Sequence, residues 1–312
     1  MSNIQAANRL TPYMFLAPAA AVMAIALLYP IGYMVWASFL DWNPSQRIGE
    51  ADFVGFQNYI NLWGSDSFWE SFWVTIRFAV VVVSVEMVIG VGLALLLDRQ
   101  LKGMSVLRTI FILPMMIAPI VVGLMWRYMY HPQVGVFNRW LSDLGLPTIP
   151  FLSDSGWAFA SVVIADIWQW TPFIFILALA ALQSLPPSAI EASRVDGATP
   201  MQQILYIKLP LMMPVLIVTC LLRLIDAFKV LEVILVMTNG GPGLSTEILA
   251  LRISRTASEF RQLGEAAAMS NYLLILLMII TAIMFIYTRV NDARLARIRA
   301  AGAKATQEEE EA

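Results

Sequence analysis

Six long apolar segments set the pattern of the chain, at roughly residues 13–39, 72–97, 107–130, 157–182, 209–237 and 268–288, with polar stretches between them. The hydrocarbon core of a bilayer takes about 20 apolar residues per helix. Only helices or closed barrels satisfy the backbone in lipid, so each segment predicts a membrane-crossing helix. The first follows Arg9 and imitates a secretory signal. It is too long for a signal's apolar region, however, and runs through Tyr29-Pro30 without a small-residue cleavage site, which predicts a retained helix.

The polar stretches sort into two alternating sets. One holds Arg9; Arg99, Lys102 and Arg108; Arg194 and Lys208; and Arg289, Arg294, Arg297, Arg299 and Lys304. The other holds Arg47, Arg139, Arg252, Arg255 and Arg261, so the cations divide eleven against five. The positive-inside rule then places both termini (1–12 and 289–312) and the 183–208 loop in the cytoplasm. The closing run Glu308 to Glu311 predicts a disordered, solvated tail.

Composition excludes several classes of function. The chain is 59% apolar and 13% charged, with a mean hydropathy of +0.71, whereas a soluble domain carries about a quarter charged residues. A net charge of −2 offers a nucleic acid no electrostatic footprint. Cys220 stands alone inside an apolar run, so no disulfide framework is expected, and a single histidine, His131, argues against a metal site.

The outer loop at 40–71 gathers Trp42, Phe53, Phe56, Tyr59, Trp63 and Trp69 among acidic and amide residues. It reads either as an interfacial aromatic belt or as an amphipathic surface on which an external partner rests, and the two are compatible. The loop at 186–210 is shaped differently. Pro186-Pro187 ends span four. Residues 188–195 then read as two helical turns closed by Gly197, since glycine tolerates the left-handed conformation there. Thr199-Pro200 restarts a helix with a capping hydroxyl and a proline at its first position. That helix leads through Ile204 and Ile207 into Leu209-Pro210, where span five begins.

Span five carries Arg223, Asp226, Lys229 and Glu232, three apart and alternating in sign. At that spacing neighbours share one helical face. Charges within a span are costly and face water or each other, so the set is either an internally neutralised ladder that stabilises the helices or a polar stripe lining a path. Span four offers Asp166, Trp168, Trp170 and Phe173, which read either as helix packing or as flat aromatic faces for sugar rings beside a carboxylate for their hydroxyls.

The run EASRVDGATPMQQILYIKLP resembles the EAA loop of the membrane subunits of ABC importers, in which EAA is followed at fixed spacing by Gly, Ile and Leu-Pro. Glu191, Ala192, Gly197, Ile207, Leu209 and Pro210 match, and Ser193 replaces the second alanine. FLAP at 15–18, GFQNY at 55–59, Leu113-Pro114, Trp168 to Phe173 before ALQSLP at 181–186, and TNGGPG at 238–243 are similar to the carbohydrate-import permeases of the maltose and glycerol-phosphate type.

The resemblance implies an all-α polytopic membrane protein with six transmembrane helices in the type I ABC importer permease fold. A first helix at 13–39 and a periplasmic loop at 40–71 would precede a five-helix core at 72–288. It implies a second permease subunit, an ABC ATPase dimer that binds the ATP and Mg, an extracytoplasmic substrate-binding protein, and residence in a bacterial cytoplasmic (inner) membrane. This chain would bind no cofactor or metal and catalyse nothing; it contains no GxxxxGK[ST] phosphate loop, so ATP would be bound by the partner. Glu191, Ala192, Ser193, Asp196, Gly197, Ala198, Leu209 and Pro210 would form the joint to the ATPase, with Ala192 and Ser193 allowing close approach. By the same resemblance Trp168 and Phe173 fall on substrate-contact positions and Trp170 on a glycine, which implies a ligand smaller than a long oligosaccharide. A neutral sugar or polyol is the first reading, and a phosphorylated or sulfonated one, drawn by Arg223 and Lys229, is the alternative. A secondary transporter would need no such loop, and one His and one Cys leave little chemistry for an intramembrane enzyme.

Overall fold

The computed structural model describes residues 2–98 and 103–311, so Arg99 and Lys102 of the richer cation set lie outside the described residues. Thirteen helices appear among them: α1 (Ser2–Ala37), α2 (Gln57–Trp63), α3 (Asp66–Leu97), α4 (Met104–Ile112), α5 (Pro119–Met129), α6 (Val136–Asp143), α7 (Ser155–Gln183), α8 (Pro187–Val195), α9 (Pro200–Gln203), α10 (Leu209–Ala227), α11 (Glu232–Met237), α12 (Leu249–Ser258) and α13 (Leu263–Glu311). Two two-residue strands, β1 (Leu40–Asp41) and β2 (Asp52–Phe53), pair antiparallel in the loop at 40–71.

Five helices are long and apolar enough to cross a membrane: Met14–Ala37, Asp66–Leu97, Ser155–Gln183, Pro200–Ala227 and Leu263–Ile286. The sixth expected span, 107–130, is not one straight helix. It divides into Arg108–Met116 and Pro119–Met129, bent by 99°. Pro114 and Pro119 explain the break, since neither ring supplies a backbone N–H and each clashes with the preceding turn. The expected fifth span, 209–237, also stops early. Helix α10 ends at Ala227, residues 228–231 leave the helix, and α11 follows as a separate short piece. The predicted disordered tail is helical as well, because α13 continues to Glu311 through a segment rich in alanine, arginine and glutamate, all good helix formers.

The chain divides into two compact units, residues 1–68 with 252–275 and residues 69–251 with 276–312. In the first, the GFQNY stretch fastens the 40–71 loop to the ends of two spans. Gly55 turns the chain at φ +57, and the Asn58 side-chain amide donates to the carbonyls of Ser38 (2.9 Å) and Leu40 (3.0 Å). The Tyr59 hydroxyl lies 2.7 Å from Ser38 Oγ and accepts from Asn271 Nδ2 at 2.8 Å. The two Asn58 bonds occupy carbonyls just beyond the end of α1.

In the second unit α7 is the most enclosed span, 61% buried against 28% or less for the others. Phe175, Ala178, Leu182, Met212 and Leu216 join α7 to α10 around Ala94 of α3. Gly90 permits the close approach of α3 and α7, because a Cβ there would stand 2.8 Å from Ile174 Cγ2 and 3.1 Å from the Phe175 backbone nitrogen. Gln169 of α7 donates to the Ile117 carbonyl at 3.1 Å, within the bend between α4 and α5, satisfying an oxygen that the broken helix leaves free.

Candidate functional site

Two assemblies of polar residues stand out in the second unit. The first lies inside the membrane-spanning helices and centres on Arg223 of α10. Its Nε donates to Glu86 Oε2 at 2.7 Å and its Nη2 to Glu86 Oε1 at 3.0 Å, a two-point contact across to α3. Nη2 also donates to Asp166 Oδ2 of α7, and Nη1 stands 3.5 Å from Asp226 Oδ2 on its own helix. The Trp170 ring lies 5.4 Å from the guanidinium carbon, and Phe173 meets Trp170 edge-on at 6.5 Å. Side-chain exposure is 1% for Arg223 and 0% for Glu86 and Asp166, against 46% for Asp226. A charge so enclosed persists only when paired and hydrogen-bonded. A two-point guanidinium–carboxylate contact is the strongest such pairing.

This arrangement revises the expected ladder. Only Arg223 and Asp226 meet along α10, and among the described residues Lys229 and Glu232 form no ion pair. Both are exposed beyond the end of the helix. Carboxylates on neighbouring helices capture Arg223 instead, because a buried two-point contact outweighs a solvated one at i,i+3 spacing. Helix α7 likewise divides its four candidates. Asp166, Trp170 and Phe173 share a face at steps of four and three, whereas Trp168 points away. Trp168 packs edge-on against Trp126 at 5.8 Å and lines an apolar cavity of about 360 Å³ with Ile89, Phe111 and Pro114. Glu86 is the member that spacing within span five passes over. Its signal is plain in the sequence, a single carboxylate within VVVSVEMVIG.

The second assembly is the 186–210 loop. Helix α8 ends at Gly197, whose φ of +77 supplies the left-handed turn. Thr199 caps α9 reciprocally with Gln202, and Pro200 takes the first helical position. Residues 204–208 form one π-helical turn leading into α10, a feature that the sequence pattern does not reveal. Lys208 reaches Asp98 at the end of α3, 3.4 Å away. Glu191, Ala192, Arg194 and Asp196 are exposed, and Val195 is 88% exposed. Ser193 instead turns inward at 5% exposure and donates to the Ile190 carbonyl at 2.7 Å. The outward surface of α8 is therefore built by Glu191, Ala192 and Val195, and the small Ser193 serves its packing on this chain.

Residues 86–297 match the family described as the binding-protein-dependent transport system inner membrane component. The trehalose/maltose transport system permease protein MalF of Thermococcus litoralis is 35% identical over 90% of this chain and 94% of that protein. The sulfoquinovosyl glycerol transport system permease protein SmoG of Agrobacterium fabrum is 32% identical over 91% of this chain and 92% of its own. A solved bacterial ABC transporter that imports the acidic polysaccharide alginate superposes with a TM-score of 0.79 and 24% identity, over 93% of this chain and 99% of that one, and shares its fold.

Proposed function

We infer from a chain that belongs to the binding-protein-dependent transport system inner membrane components that it forms part of the membrane channel of an ATP-driven importer of sugars or polyols. It is a permease subunit and not an enzyme, and ATP with Mg is bound and hydrolysed on a partner ATPase. A second permease completes the channel, and an extracytoplasmic binding protein delivers the cargo. The importer resides in the bacterial cytoplasmic membrane with both termini of this chain inside. MalF-like and SmoG-like relatives include carriers of neutral and of sulfonated sugars, and the neutral class is the reading adopted for this chain.

The observation that carries this reading is the exposed helix–turn–helix of 187–203, set between the two spans whose residues build the Arg223 cluster. A partner ATPase that holds α8 moves the adjoining ends of α7 and α10, and those helices present Trp170, Phe173 and Asp226 to the path, with Asp166 buried behind them.

Gly197→Asp tests the joint. Aspartate tolerates the left-handed conformation at modest cost, and no atom lies within 4 Å of a Cβ added there. The subunit is expected to insert and assemble while binding-protein-stimulated ATPase and uptake fall together by more than tenfold, about 1.4 kcal/mol of coupling. Normal transport by Gly197→Asp would remove the assignment. Copurification provides a second check. The subunit should bring down an ATPase and a second permease, whereas a secondary transporter would bring down neither.

A further inference from the structure

Arg223, the cation best placed inside the spans to attract an anionic cargo, is already occupied. It donates to Glu86, Asp166 and Asp226, so one formal positive charge faces three negative ones, a net charge of −2. A proton held by one buried carboxyl still leaves −1. Trp170 covers the guanidinium at 5.4 Å. Of the four charged groups only Asp226 is open, at 46% side-chain exposure. The next two charges, Lys229 and Glu232, are both exposed and opposite in sign, so they leave the balance unchanged. A half-exposed carboxylate on a membrane-spanning helix faces a water-filled cavity or the polar interior of the helix bundle and not hydrocarbon, because the lipid face would cost several kcal/mol.

Resting on the substrate-path reading above, we infer that Asp226 is a specificity-determining residue that filters cargo by charge. Its carboxylate accepts hydrogen bonds from the hydroxyls of a neutral polyhydroxy compound and repels phosphate and sulfonate. The buried cluster behind it adds to the negative sign, since Glu86 and Asp166 take the Nε and Nη2 donors of Arg223 and Nη1 points to Asp226 itself.

The field is measurable without knowing the cargo. In the assembled transporter, Cys220→Ala removes the single native thiol of this chain and Phe173→Cys places a reporter beside Trp170. Cationic, anionic and uncharged methanethiosulfonates are then compared by mass of the modified chain, each rate normalised to that on a small free thiol. The cationic reagent is expected to be favoured about fivefold or more over the anionic one, about what one nearby charge gives in a partly aqueous site. Asp226→Asn removes the one exposed charge of the cluster and should lower the ratio at least twofold, and Asp226→Glu should keep it. Glu232→Cys combined with Lys229→Gln, which keeps the balance of these two positions at zero, carries the same comparison if Phe173→Cys prevents assembly. Reaction with the uncharged reagent but no cation preference, or a preference unmoved by Asp226→Asn, would overturn the filter and leave the path. No reaction with any reagent at either reporter would refute the path itself, and the filter with it.

Discussion

At the scale of single residues, the Arg223 cluster makes a sharp demand on stability. Three spans meet at one guanidinium, and removing it leaves Glu86 and Asp166 facing each other without a counter-ion. Breaking a buried pair in this way costs about 3–5 kcal/mol. Arg223→Met is therefore expected to lower the yield and thermal midpoint of the assembled complex. Combining it with Glu86→Gln and Asp166→Asn removes the stranded charges and should recover most of the loss. If Arg223→Met alone assembles with parental stability, the cluster does not clasp these helices. The sequence shows Arg223, Asp226 and Asp166 by the rarity of charge in apolar runs, and the same rule marks Glu86. It does not show which carboxylate the arginine meets, because that choice depends on how α3, α7 and α10 lie side by side, and spacing along one helix carries no information about its neighbours.

At the scale of elements, the loop was the most legible part. Prolines, Gly197 and Thr199 act locally, through backbone dihedrals and caps, and the structure places helix, turn and helix where those residues predict them. The apolar runs were legible as spans but not as straight ones. The break within 107–130 rests on Pro114 and Pro119 together with a long-range donor, Gln169, that stabilises the bend. The end of α10 at Ala227 has no proline or glycine to announce it. Helix contact supplies a further test. Gly90 packs against Ile174, whereas Gly92, two residues on, has nothing within 4 Å of an added Cβ. Gly90→Val should force α3 from α7 and destabilise the subunit by about 1–3 kcal/mol. Gly92→Ala should be neutral or stabilising by up to about 1 kcal/mol. Thermal unfolding of the two purified variants decides the point, and equal behaviour would mean that the α3–α7 approach does not depend on Gly90.

At the scale of the whole molecule, the bent third segment turns sidedness into a question of parity. Five helices cross by length and composition, and the 108–129 pair adds a sixth crossing only if its two halves together traverse the bilayer. With six crossings the termini share a side, whereas a re-entrant pair would put them on opposite sides. The cation distribution favours the first arrangement. Arg9 precedes the first span and Arg289, Arg294, Arg297 and Arg299 follow the last, and both groups fall in the richer set. A re-entrant third segment would also place the 186–210 loop opposite the N-terminus, where no cytoplasmic ATPase could reach it if Arg9 stays inside. Reporter fusions therefore test topology and coupling together. Alkaline phosphatase fused after residue 12 or residue 312 should be inactive, and fused within 133–150 it should be active, with fluorescent-protein fusions giving the reverse pattern. An active phosphatase after residue 312 but not after residue 12 would establish a re-entrant pair and put the loop outside, away from a cytoplasmic motor.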